Sequence, residues 1–239
     1  MDEVLDMQFP STKCQNIPFY KEIYGTTGSV VHGTPIICGG YDEKLDKFED
    51  KCYKMKVHFD AENKTTWWSL FTNLETKRFD AASIAMADKL WVLGGLGPDG
   101  LLSSTEYVYI DGQQSTNEAK LPIPLLGHAI VALNDAYDPY NFILIGGYTN
   151  TNPYISDETY FYNSDDSSWT KGPNLIQKRK HLVAGLGIDN FSRQNYIVVA
   201  GGTDGTKYTS GHTKGNHLKS VEFLSGPDEK WTMKLGMYQ

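Results

Sequence analysis

The nine residues FILIGGYTN, positions 142–150, set four consecutive apolar side chains directly before a glycine pair. The chain says nearly the same thing three more times, as PIICGG (35–40), LWVLGG (90–95) and YIVVAGG (196–202). The first glycines of the pairs, Gly39, Gly94, Gly146 and Gly201, stand 55, 52 and 55 residues apart. A period of about 50 residues held over four copies signals stacked units of one supersecondary type. Apolar at every position, each run suits a β-strand covered on both faces. The glycine pair that closes it supplies two positions without a Cβ, where the backbone can turn sharply and approach the next unit closely. One such unit cannot bury both faces alone, so the phrase recurs until neighbours cover each other.

Each unit reads through the same four steps. A short apolar run comes first: GSVVHG (28–33), AASIAMA (81–87), HAIVAL (128–133) and HLVAGLG (181–187). The glycine-pair run follows, and after a loop comes CYKMKVHF (52–59), TEYVYI (105–110), ETYFYN (158–163) or SVEFL (220–224). The last step holds tryptophan in three units, TTWWSLF (65–71), SSWTKGP (167–173) and KWTMKLG (230–236), while the second unit has EAKLPIP (118–124). These segments are rich in Val, Ile, Tyr, Phe and Trp and are bounded by Gly, Asn, Asp and Pro, which is strand vocabulary. Apolar residues nowhere keep helical spacing over three turns, so the expectation is a nearly all-β chain.

An apolar strand, Gly-Gly, an aromatic strand and a downstream Trp resemble the kelch repeat, the four-stranded blade unit of kelch β-propellers. The resemblance covers about residues 28–235 and implies an all-β, kelch-type propeller of four four-stranded blades. It implies a lead-in segment over 1–27, with at most one strand around 19–24, and a propeller over 28–239 with blades of about 28–76, 77–124, 125–176 and 177–239. Gly39-Gly40, Gly94-Gly95, Gly146-Gly147 and Gly201-Gly202 match the family's glycine pair. Its aromatic position is matched by Phe59, Tyr109, Tyr162 and Phe223, and its tryptophan by Trp67 or Trp68, Trp169 and Trp231. Kelch propellers usually have about five to seven blades. Four units therefore leave three arrangements open: part of a larger propeller, a four-bladed ring, or blades completed by another chain.

Composition narrows the partners. The 239 residues carry 22 Lys+Arg against 29 Asp+Glu, a net charge of -7 that disfavours a nucleic acid, whose binding needs clustered cations. The one basic run, QKRKH (177–181), reads as a solvated loop. No apolar run reaches the roughly 18 residues of a membrane span, and the start, MDEVLDMQFP, is acidic where a secretory signal would be basic. On that ground the cytoplasm is favoured, with an extracellular location if the start is truncated. Cys38 and Cys52 would face each other across an antiparallel hairpin, either as a disulfide or as two thiols in a reducing compartment, with Cys14 left over. The sequons at Asn63 and Asn190 are candidate glycosylation sites.

Propeller blades are scaffold, and binding falls to the loops. The loops between second and third strands run over about 41–51, 96–103, 148–156 and 203–219. The last, TDGTKYTSGHTKGNHLK, offers Lys207, Tyr208, His212, Lys214 and His217 as contacts on a locally basic, aromatic-bearing loop. His212 and His217 lack the fixed third and fourth ligands that zinc needs, so no metal is expected. Related adaptor propellers hold acidic peptides with arginines near blade-connecting loops. The resemblance thus makes Arg78 and Arg179 candidates, against a structural salt bridge. His128 and His181 precede first strands, and Ser104-x-Glu106, Ser156-x-Glu158 and Ser220-x-Glu222 recur at third strands; both patterns read as blade structure. No nucleophile motif, metalloprotease His pair or phosphate-cradling glycine loop is present, so no cofactor is expected and an enzyme is disfavoured. The expected function is a protein-interaction adaptor or scaffold with a protein or peptide partner, an acidic one among the candidates. The alternatives are an extracellular glycan- or matrix-binding propeller and, third, a kelch-type oxidase or epimerase.

Overall fold

A computed structural model of the chain describes residues 23–59, 64–116, 120–134, 137–189, 191–205 and 216–235. Among them every paired strand is antiparallel and there is no α-helix. The first unit opens with β1 (Ile23–Tyr24), β2 (Thr27–Val31) and β3 (Thr34–Cys38); beyond the short β4 (Tyr41–Asp42) and β5 (Lys47–Phe48) come β6 (Lys51–Phe59) and β7 (Lys64–Asn73). The second holds β8 (Ala82–Met86), β9 (Lys89–Leu93), the small pair β10 (Leu96–Gly97) and β11 (Gly100–Leu101), then β12 (Thr105–Tyr109) and β13 (Gln114–Thr116). The third is β14 (Ala129–Ala132), β15 (Phe142–Ile145), β16 (Thr159–Asn163) and β17 (Ser168–Lys171). The fourth is β18 (Val183–Ile188), β19 (Asn195–Ala200), β20 (Ser220–Leu224) and β21 (Thr232–Leu235). Each unit forms one four-stranded meander, β2-β3-β6-β7, β8-β9-β12-β13, β14-β15-β16-β17 and β18-β19-β20-β21.

The sheets stack in chain order, β2 against β8, β8 against β14 and β14 against β18. The doubly apolar second strands explain why. Leu90 and Val92 of β9 join Val31, Ile36, Cys38 and Cys52 of the first sheet, while Trp91 and Leu93 point the other way onto Phe142 and Leu144. Ile143 and Ile145 in turn meet Ile197, Val199 and Leu224. Each of these side chains, fully buried, contributes roughly 1.5–3 kcal/mol.

The glycine pairs sit where sheets touch. Gly40, Gly95 and Gly147 donate their N–H to the carbonyls of Arg78, Leu125 and Arg179, at 2.8, 2.7 and 2.9 Å, each in the connector that leads into the next sheet. A Cβ on Gly39, Gly94 or Gly146 would lie 2.5 or 2.6 Å from those same carbonyls. Their φ values, 66, 63 and 62°, are also left-handed, so a side chain is opposed twice over. Gly201 keeps the φ of 65°, yet among the described residues its Cβ would meet nothing nearer than the Leu218 carbonyl at 4.0 Å.

Connectors are held by a leucine and, in alternate units, by an arginine. Leu74, Leu121 and Leu175 are buried at equivalent places, their N–H groups bonded to Asp50, Ser103 and Asp157. Four residues on, Arg78 is fully buried and uses all five donors: Nε to the Thr76 carbonyl, Nη1 to the carbonyls of Gly94 and Ser104, Nη2 to Ser104 Oγ and Glu106. Arg179 repeats the set on Gln177, Gly201, Ser220 and Glu222. The carboxylates complete the staple by accepting N–H groups from Glu75 and Thr76, and from Ile176 and Gln177. In the third unit Leu125 and Tyr160 take the arginine and glutamate places, and Pro122, which has no N–H, replaces the first donor.

Counting pairs from the glycines corrects several sequence alignments. Thr105, Thr159 and Val221 oppose the residue just before each pair, so Tyr107, Phe161 and Phe223 share a register; Tyr109 and Tyr162 do not join it. Glu158 falls level with Ser104, out of line with Glu106 and Glu222, and pairs with Lys171 and Tyr160. Of EAKLPIP, the described residues 120–124 are connector, not strand: β13 lies before them. Phe59 lies in β6, but its side chain, like residues 1–22 and hence Cys14, is outside what is described.

Two substitution pairs test these joints. Gly201→Ala should cost only the left-handed backbone, roughly 1–2 kcal/mol. Gly146→Ala, which also drives a methyl into the Arg179 carbonyl, should cost at least about 2 kcal/mol more in urea unfolding. Arg179→Leu alone should cost about 3–5 kcal/mol by stranding the Glu222 carboxylate. Adding Glu222→Tyr, which copies the third unit, should recover roughly half of that loss in the same assay.

Candidate functional site

In every unit the residue two past the first glycine turns back to pair with the connector. Tyr41 pairs with Tyr24, Leu96 with Phe79, Tyr148 with Leu126 and Thr203 with Lys180. All four loops between second and third strands are therefore tethered at one end of the sheets. In the first unit Tyr24, Tyr41 and Phe48 cluster with Phe79, ring centroids 5.1–6.0 Å apart. Tyr148 stacks on Tyr154 at 6.3 Å, and Tyr24 and Tyr154 stay 48% and 44% exposed. The fourth unit is polar at the same places. Lys180 is buried with its amine 5.1 Å over the Tyr148 ring, and burial lowers its pKa while the Asp80 charge opposes that shift. Thr203, its pairing partner, also bridges to His217.

One position further along the connectors, Gly25, Asp80, Gly127 and His181 all take left-handed φ, 63, 53, 59 and 51°. Their backbones form a relay: Asp80 N–H to the Gly25 carbonyl at 2.9 Å, Gly127 N–H to Asp80 at 2.9 Å and His181 N–H to Gly127 at 2.7 Å. Across Gly127, His181 Nε2 reaches Asp80 Oδ2 at 3.1 Å. Gly127 leaves that path open, since a Cβ there would sit 2.5 Å from the His181 ring. The second and fourth units thus meet directly over the third, so the starts of the first strands converge. His128 lies beside them, 7% exposed, with no hydrogen-bond partner on either ring nitrogen among the described residues. Burial pulls its pKa down to about 4 against the pull of Asp80. Asp80, His128, Lys180 and His181 form a polar centre beside the tyrosines of the first and third units. Sequence reading set His128 level with His181, but His128 is one place further along, since Gly127 is the residue in the relay.

The other sequence candidates divide. Arg78 and Arg179 are not at the loop surface, because their donors are spent inside their own sheets. His217 is exposed at the base of the last loop, where Asp204 and Asn216 bond to each other. Lys207, Tyr208, His212 and Lys214 lie outside the described residues, as do Asn63 and Asn190. Cys38 and Cys52 are opposite each other on β3 and β6, Cα atoms 4.1 Å apart, joined as a disulfide and fully buried. No group of three or more His, Cys, Asp or Glu suited to a metal occurs among the described residues.

The histidine's pKa has a stability consequence. Between pH 6.5 and 4 the unfolded chain, with an ordinary His128, binds more protons than the folded one. Stability that is present above the unfolded pKa is lost as pH falls, by about 2 kcal/mol between pH 7 and 5. Urea midpoints at the two pH values should show the drop, and His128→Gln should flatten it.

No protein-family profile matches the chain. Among curated proteins it is similar to Beta-scruin of Limulus polyphemus, a kelch-repeat protein, with 24% identity over 149 residues, 60% of this chain. The similarity spans only 16% of that relative's length, so it points to kelch-like repeats and no further.

Proposed function

We propose that this protein is a kelch-type β-propeller segment that binds another protein through the loop end of its sheets. The observation that carries the reading is the pair of half-exposed tyrosines beside the polar centre. Tyr24 and Tyr154 stand half-exposed at the end where all four loops are tethered. Tyrosine fits such a role because it offers a large contact area with two rotatable bonds to fix. The glycine-pair repeat and the similarity to Beta-scruin support the fold class. Lys207, Lys214 and the exposed His217, in the long loop of the fourth unit, favour a peptide that presents an acidic side chain over that unit. A second reading, an extracellular binding propeller, draws its support from the Cys38–Cys52 disulfide.

Capture from native extract and from secreted fluid, using tagged chain with and without reductant, tests both. A partner retained by wild type and by Phe191→Ser, at the 98% exposed tip of the opposite end, should be weakened about tenfold by Tyr154→Ser or His217→Ala. Loss with Phe191→Ser and indifference to the two loop variants would sink the loop-end reading. A partner found only in secreted fluid, and lost on reduction, would move the second reading ahead.

A further inference from the structure

The two end sheets expose the layers that every internal joint buries. On the outer face of the fourth sheet, cross-strand pairing sets Val183, Val198, Ala200, Val221 and Phe223 side by side. The matching residues one unit earlier, Ile143, Ile145 and Phe161, are 0–1% exposed. Val183 is 73% exposed and the others are only partly covered. On the outer face of the first sheet Val30, Pro35, Ile37, Tyr53 and Leu70 share one side by the same criterion. Pro35 and Ile37 occupy the places of Leu90 and Val92, which are 0% exposed, yet they stay half-covered, with Val30 at 55% and Leu70 at 58%. The two faces are of opposite kind. One is the leading face that each internal sheet turns to its predecessor, the other the trailing face it turns to its successor.

The backbone follows the same rule. Repetition of the internal joint would join the Gly202 N–H to the carbonyl of Ile23, which is the residue level with Arg78, Leu125 and Arg179. Among the described residues that bond is not made, and the space over Gly201 that a connector carbonyl fills in the other three units holds no described atom within 3.9 Å, the nearest being Leu218 O at 4.0 Å. We propose that the fourth sheet of one copy receives the first sheet of a second copy through this joint, so that the protein associates head to tail. A contact between unlike faces either closes a ring or extends as a filament, and it is continuous with three joints of known geometry. Its Gly202–Ile23 bond adjoins the loop end at Thr203 and Tyr24, but its apolar layer lies on the outer sheet faces, so Val183→Lys and Val30→Lys read association while Tyr154→Ser and His217→Ala read partner binding.

Sedimentation velocity on the full chain over a range of concentrations tests it. The wild type should move above its 26.8 kDa monomer mass as concentration rises to about 100 μM. Gly201→Ala, whose methyl would strike the incoming Ile23 carbonyl, should raise the dissociation constant about tenfold or more, with its unfolding midpoint measured alongside. Val183→Lys blocks the fourth face and Val30→Lys the first. Each should be monomeric alone, and an equimolar mixture should form a dimer that grows no further, through the two faces left intact. A wild type that stays monomeric throughout, or association that survives both lysine variants, would overturn the proposal.

Discussion

Everything in this protein depends on one short approach: a glycine N–H donating to a carbonyl of the next connector, with no Cβ in the way. Hydrophobic layers alone would let two sheets slide over each other, because apolar contact has no direction. The hydrogen bond from Gly40, Gly95 or Gly147 fixes where along the strand the neighbour must sit, and thereby which apolar rows face each other. Packing then rewards that single register, as where Trp91 sits among Tyr107, Phe142 and Tyr162.

The same approach dictates how the connectors are held. A segment squeezed between two sheets has backbone groups that water cannot reach, and each must find a partner. Two units solve this with a buried guanidinium and carboxylate, and a third solves it with Pro122, Leu125 and Tyr160, which lower the number of polar groups to be satisfied. The ion pairs gain little over an apolar solution in energy, but once either partner is present the other is required.

Strand identity, the glycine pairs, their spacing and the positions of the long loops are legible in the sequence because each follows from local patterning. Third-strand register is not, because the separation from the second strand varies between units and nothing local counts its residues. The staple at Arg78 and Arg179 was visible as a repeated arginine, but its direction was hidden: Glu106 and Glu222 lie 28 and 43 residues away. The relay through Gly25, Asp80, Gly127 and His181 leaves the weakest trace. The position asks for a left-handed backbone, and glycine, aspartate and histidine each meet that demand without resembling one another. The polar centre is therefore a product of the fold's curvature, assembled from residues about 50 positions apart in the chain.

The Cys38–Cys52 crosslink lies wholly inside the first sheet, so it does not tie one unit to another. A linear stack loses structure from its ends, where a unit has one neighbour in place of two. The crosslink therefore keeps β3 and β6 of the first unit paired even where contact with the second sheet is lost, a restraint the other three sheets lack. Reduction of that buried pair would leave the first sheet held, like the others, by strand pairing and packing alone.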